Sequence, residues 1–204
     1  MANLLVTLVA YLIGSISFAV VVSSIVGLSD PRTYGSKTPG ATNVLRSGNK
    51  IAAVLTLLGD VSKGWLVVWL VKHVVATYKL DVLLVALASI SVFLGHLYPV
   101  FFDFKGGKGV ATAAGILLAI DLRLGIATAS TWLIIAFLFR YSSLAALIAA
   151  LLAPLFDIFM FSCNQIALVI ITISILLVWR HRTNISKLLI GEESRIGDKK
   201  SRVQ

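Results

Sequence analysis

Charge is what this sequence has least of. Only 13% of its residues are charged, where a soluble domain carries about a quarter, and the shortfall excludes an ordinary water-soluble fold. Acidic groups are the scarcest, 9 Asp and Glu against 18 Lys and Arg, for a net charge of +9. In a soluble protein that excess would point to nucleic acid. Here the basic residues fall between apolar runs, so topology and anionic lipid account for most of it and a phosphorylated substrate for the rest. No nucleic-acid partner is expected. A single cysteine, Cys163, excludes an intramolecular disulfide and a thiolate metal cluster. The opening MANLLVTLVAYLIGSISFAVVV has neither a positive leading segment nor a cleavage site, so it reads as a retained span rather than a signal peptide. No internal repeat is visible, which counts against an inverted-repeat transporter.

What is present is apolar: 58% of the residues are hydrophobic, in long runs from end to end. Runs of about 18 or more such residues cross a bilayer core. The expectation is an all-α, polytopic integral membrane helical bundle, a single membrane-embedded domain over 1–204 with a flexible tail at 198–204. Seven spans fit, at about 4–27, 51–76, 82–102, 110–120, 124–139, 144–156 and 166–179, with a turn somewhere in 157–165. The fourth and the last few are short for a full crossing, which calls for helical extension or a locally thinned bilayer. With the N-terminus outside and the C-terminus cytoplasmic, fourteen of the eighteen Lys and Arg fall on the inner side, as the positive-inside rule requires. Lys79 and Arg123 fall outside, and Lys63 and Lys72 within the second span.

The inner segments carry the chemistry. In the first, YGSKTPGATNVLRSGNK, Gly35 and Gly40 flank a polar run, a pattern that lets consecutive N–H groups form an anion nest. Ser36, Thr38, Thr42 and Asn43 add neutral donors, and Arg46 adds a fork suited to phosphate. A solvated basic loop is an equal reading of this segment alone. The second, GHLYPVFFDFKGGKGVATAAG, packs Lys105, Gly106, Gly107, Lys108 and Gly109 just before a helix start near Val110, where unpaired N–H groups favour an anion. Two interfacial lysines would explain Lys105 and Lys108 but not three glycines around them. The Walker A order is absent, so nucleotide binding has no support.

In the third, Arg140, Ser142 and Ser143 open a helix, with Ser142 or Ser143 a natural N-cap. The tail brings His181, Arg182, Asn184 and Lys187 below the last span, His181 and Asn184 sharing a helix face at i and i+3. His96 reads as a general base or, preferably, as a packed histidine bonded to a backbone carbonyl. Asp60 and Lys63, three apart in the second span, read as a structural ion pair.

The motifs GATNVLR at 40–46, GHLYPVF at 95–101 with FKGGKGVAT at 104–112, and RHRTNISKLL at 180–189 resemble those of the PlsY family, the bacterial acyl-phosphate:glycerol-3-phosphate acyltransferases. GSISF at 14–18 and the D-x-x-K-G at 60–64 are similar to further family features, and the resemblance covers nearly the whole chain. It implies a multi-pass enzyme of the bacterial cytoplasmic (inner) membrane with its active site facing the cytoplasm. The implied reaction moves a fatty acyl group from acyl phosphate to the first hydroxyl of glycerol 3-phosphate, giving lysophosphatidate and inorganic phosphate, the first acylation of phospholipid synthesis.

Acyl phosphate, glycerol 3-phosphate and membrane lipids are the implied partners, with functional coupling to the enzyme that makes acyl phosphate. No cofactor, acyl-CoA, acyl carrier protein or metal is implied. Carried over by position, His181, Asn184, Lys108 and Ser142 are implied as catalytic. Ser36, Gly40, Thr42, Asn43, Arg46, Lys105, Gly106 and Gly107 are implied as substrate-binding. Lys37 and Thr38 stand where the family has glycine and asparagine, and Ser17 and Ala19 where proline and glycine are common. The general base is expected to be a phosphate oxygen of the donor, with His181 orienting and Asp103 the main competitor.

Overall fold

The computed structural model describes residues 2–161 and 165–197. Cys163, part of the expected turn at 157–165 and the tail at 198–204 lie outside the described residues. Among the described residues all regular secondary structure is helical. The first apolar passage is α1 (Ala2–Gly14) and α2 (Phe18–Ile25), followed by the short α3 (Ala41–Leu45) and the long α4 (Lys50–Tyr78). Next come α5 (Leu83–Leu97), a 3-10 turn (Val100–Phe102), α6 (Val110–Ile120) and α7 (Leu122–Phe139). The chain closes with α8 (Ser142–Phe161), α9 (Gln165–Arg180) and α10 (Arg182–Leu189).

Among the described residues four helices are long and apolar enough to cross a membrane, or up to six if each bent pair is one crossing. The bent pairs are α1 with α2, at 41°, and α9 with α10, at 57°. Each of the seven expected stretches is helical, but α6 has 11 residues, about 16 Å of rise against a core of about 30 Å. The first span is not one helix as expected. It breaks at residues 15–17, where the Lys63 ammonium takes the Ile16 carbonyl at 2.7 Å. The sixth lengthens at both ends to Ser142–Phe161.

Local chemistry sets several boundaries. Asn49 caps α4 by accepting from the Ala52 N–H at 2.9 Å. Asp121, the single residue between α6 and α7, accepts from Arg123 and Leu124 N–H groups and turns the chain sharply. Lys72 donates to the Ala119 and Ile120 carbonyls at the end of α6, as a cation at a helix C-terminus should. With no hydrophobic drive between helices inside lipid, close backbone approach holds the bundle. A Cβ on Gly14 would strike the Val92 carbonyl, and one on Gly95 the Tyr11 carbonyl, so α1 and α5 touch through paired glycines. Gly64 meets the Thr112 carbonyl and Gly115 the Val61 carbonyl in the same way, joining α4 to α6. Phe93, Leu97, Ile116 and Val68 fill the core between these pairs.

Candidate active site

The loop between α2 and α4 is built on Asn43, which is 3% exposed. Its amide donates to the Pro31 carbonyl at 2.7 Å and the Tyr34 carbonyl at 3.2 Å, and its Oδ1 accepts from the Ser36 N–H at 3.0 Å. Arg46 Nη1 reaches the same Oδ1 at 3.5 Å. Asn43 therefore pins the loop into shape. The anion nest expected over this run is partly spent inside the loop, because the Lys37 N–H also donates, to the Tyr34 carbonyl at 2.9 Å. Lys37 has φ +52°, the left-handed region that glycine enters freely and other residues enter at about 1–2 kcal/mol. Gly40 has extended backbone, and a Cβ there would meet no atom within 4 Å. Ser36 and Thr42 are exposed, and Arg46 is half-buried.

The glycine-rich segment is clamped from two sides. Arg180 of α9 donates to the Gly106 carbonyl at 2.9 Å and the Gly107 carbonyl at 3.0 and 3.2 Å, with its guanidinium 5.5 Å from the Tyr98 ring centre. From below, the His96 carbonyl accepts from the Gly107 N–H at 3.1 Å, and a Cβ on Gly107 would collide with His96 Nε2. His96 is packed, as preferred, but its side-chain partner is a carboxylate instead of a backbone carbonyl. Nδ1 lies 3.5 Å from Asp60 Oδ1, which pairs with Lys63 at 2.8 Å. One buried network thus runs from the α1–α2 break to the glycine loop. Lys105 is exposed, and so is Asp103. Arg32 binds Asp30 at 2.7 Å and reaches the Phe102 carbonyl at 3.4 Å, tying the first loop to the 3-10 turn.

The start of α8 faces both loops and the tail. α8 begins at Ser142 itself, so both serines lie in its first turn rather than before it, and both hydroxyls make contacts outside the helix. Ser142 Oγ lies 3.2 Å from Thr42 Oγ1. Ser143 Oγ donates to Glu193 Oε1 at 2.7 Å, and Asn184 Nδ2 donates to the same oxygen at 2.7 Å. The Asn184 Oδ1 is buried without a partner among the described residues. His181, 2% exposed, stands just before α10, its Nδ1 2.8 Å from the Leu177 carbonyl. A carbonyl only accepts, so Nδ1 carries the proton and Nε2 is left as an acceptor. The tail is held across this region by the Ile196 N–H on the Arg140 carbonyl at 2.6 Å, and by Arg140 on the Ile196 carbonyl at 2.8 Å.

Lys108 is the electrostatic centre. Its pKa is lowered from the ordinary 10.5 to about 8, chiefly by burial; the Glu193 carboxylate opposes the shift, and Arg46, Arg180 and Lys187 add to it. Those four groups come from the first loop, the end of α9, α10 and the tail, so the segments meet at one end of the bundle. Of the residues implied by the motifs, Lys108, Arg46, Ser142, Thr42, His181 and Asn184 are gathered there, with Asn43, Gly106 and Gly107 as frame. Sequence reasoning missed Arg180 as the clamp and Glu193 as the shared acceptor. The two sit within or beside the RHRTNISKLL motif, the one signal that pointed towards them.

Apolar helices whose loops collect cations, hydroxyls and glycine backbone at one end define an integral membrane protein with a site for anions. The chain belongs to the glycerol-3-phosphate acyltransferase family, whose model matches residues 4–191. It is 70% identical over 200 residues to the glycerol-3-phosphate acyltransferase of Paraburkholderia phymatum, covering 98% of this chain and 95% of that one. It is also similar to two crystal structures of PlsY (YgiH), an integral membrane glycerol 3-phosphate acyltransferase. The glycerol 3-phosphate form matches at 37% identity and TM-score 0.90, over 100% of both chains. The lysophosphatidic acid form matches at 36% identity and TM-score 0.87, over 97% of this chain and 96% of that one.

Proposed function

We propose that this protein, as one membrane domain, transfers a fatty acyl group from acyl phosphate to the first hydroxyl of glycerol 3-phosphate, releasing lysophosphatidate and inorganic phosphate. The observation that carries the reading is the position of Lys108, within electrostatic reach of Arg46, Arg180, Lys187 and His181 and of the Glu193 carboxylate that Ser143 and Asn184 also bind. Two phosphates repel, and such a cluster holds them together. Acyl phosphate is already activated, so no covalent enzyme intermediate is required, and positioning with electrostatic stabilisation supplies the catalysis.

In the proposed step the hydroxyl oxygen attacks the acyl carbonyl carbon, the bond from that carbon to the bridging phosphate oxygen breaks, and the hydroxyl proton ends on the departing phosphate. His181 Nε2 accepts from the hydroxyl and orients it. Lys108 and Arg46 bind phosphate oxygens, and Ser142 and Asn184 add hydrogen bonds. Ser36, Thr42 and Gly40 line the approach, Asn43, Gly106 and Gly107 shape it, and exposed Lys105 attracts the anions. Seven spans, an outer N-terminus and a site facing the cytoplasm of a bacterial inner membrane complete the reading, supported by the basic residues of the site-forming loops. The test uses purified protein in detergent with acyl phosphate and labelled glycerol 3-phosphate. Labelled lysophosphatidate is the expected product, and its absence with correctly folded protein overturns the reading.

A further inference from the structure

The first loop and the glycine-rich segment meet at a single side chain. A Cβ on Gly107 would strike His96 Nε2 and lie 2.7 Å from the Pro39 carbonyl oxygen. The imidazole, the bare backbone of the glycine segment and a carbonyl of the first loop therefore crowd around one point. His96 and Pro39 are both buried there. Gly106 rests on the same helix end, since a Cβ on it would strike the His96 and Leu97 carbonyls.

Two cations of the site stand close to this junction along the chain. Lys108 directly follows Gly107, and Arg46 ends the short α3, which starts two residues after Pro39. Lysine is a point charge on a flexible stem, so its ammonium is placed only as well as its backbone is. Arg180 grips that backbone from the α9 side, through the Gly106 and Gly107 carbonyls, and His96 supports the opposite side. His96 is itself held from within the bundle. Its Nδ1 faces Asp60 Oδ1 at 3.5 Å, and Asp60 is fixed by Lys63, whose ammonium also takes the Ile16 carbonyl.

We propose that His96 is a positioning residue: its imidazole is the spacer between Gly107 and Pro39 that keeps Lys108 and Arg46 at the separation at which they hold substrate phosphate. The inference rests on the reading above in which those two cations bind phosphate oxygens. A misplacement of about 1 Å far from the chemistry can cost about a hundredfold, so a spacer at the meeting of two loops matters although it carries no reacting atom. The Asp60 and Lys63 pair acts through it, by fixing the ring from behind.

The test measures equilibrium binding of labelled glycerol 3-phosphate to the full chain in detergent, with KM and kcat for acylation by acyl phosphate measured separately. His96→Ala removes the spacer and is expected to weaken binding about tenfold per folded molecule, with a matching rise in the KM for glycerol 3-phosphate. In His96→Ala combined with Gly107→Ala, the new methyl enters the vacated space against Pro39, and binding is expected to return to within about threefold of wild type. A residue needed only for folding would change the amount of protein that binds and leave its dissociation constant alone. His96→Gln, which keeps much of the side chain's reach, covers the case in which His96→Ala misfolds and is expected to fall between His96→Ala and wild type. An unchanged dissociation constant in folded His96→Ala or His96→Gln overturns the proposal, as does a double variant whose loss is the sum of the two single losses. Wild-type protein that binds glycerol 3-phosphate yet forms no lysophosphatidate from acyl phosphate overturns the acyl-phosphate reading alone.

Discussion

Asn184 Nδ2 and Glu193 Oε1 lie 2.7 Å apart, and Ser143 donates to the same carboxylate oxygen. This clasp joins α8, α10 and the tail. Glu193→Ala leaves two buried donors unsatisfied, at about 1–3 kcal/mol, so a lower melting temperature in detergent is expected. Glu193→Gln retains one acceptor oxygen and loses less. A melting temperature unchanged in both variants would show that the clasp contributes nothing to stability.

The proposed binding of glycerol 3-phosphate by Lys108 predicts an alkaline limb. Free lysine at this position titrates at about 8, and a bound phosphate favours the ammonium, raising that value. Affinity is therefore full below about pH 8 and falls by up to tenfold per unit above it, until the pKa of the bound form is reached. The KM for glycerol 3-phosphate measured from about pH 7 to 9.5 tests this, and Lys108→Arg, which keeps its proton, should flatten the rise.

Two glycines separate a ligand role from a packing role. Gly40→Ala adds a methyl in open space on extended backbone, so it should fold with wild-type stability yet raise KM by about tenfold. Gly107→Ala drives a methyl into His96 and the Pro39 carbonyl and should lower the melting temperature by several degrees.

The general base can be settled by comparison. Asp103 is exposed at φ +53°, a conformation asparagine tolerates, so Asp103→Asn should keep near-normal turnover. His181→Ala and Lys108→Ala should each lose about a hundredfold or more in kcat/KM. The reverse pattern would transfer the role to Asp103.

Asp60 and Lys63 are 2% and 4% exposed, so removing one charge strands the other. Asp60→Asn should cost about 3–5 kcal/mol, and the double variant Asp60→Asn with Lys63→Met should recover part of it. Chemical denaturation of the detergent-solubilised protein measures both.

Much of this architecture was legible because membrane constraints are simple. Apolar runs located the helices, and the i, i+3 spacing of Asp60 and Lys63 anticipated their ion pair. His181 and Asn184 were read on one continuing helix, but the chain bends by 57° at His181, and both are nonetheless buried. Other features left little local trace. The break at residues 15–17 depends on a Lys63 ammonium forty-seven positions away, and Ser143 meets Glu193 across fifty. The short α6 was read at its observed bounds, but the Lys72 ammonium that meets its last carbonyls comes from another helix. Segment hydropathy is blind to all three, since each is a pairing between distant elements.

The clasp at Glu193 also bears on biogenesis. Its acceptor is made after every transmembrane passage, whereas Arg46 and Thr42 are made near the start. A nascent chain still threading into the bilayer holds the early half of the centre without its fastening, so the clasp closes only once residue 193 has been made.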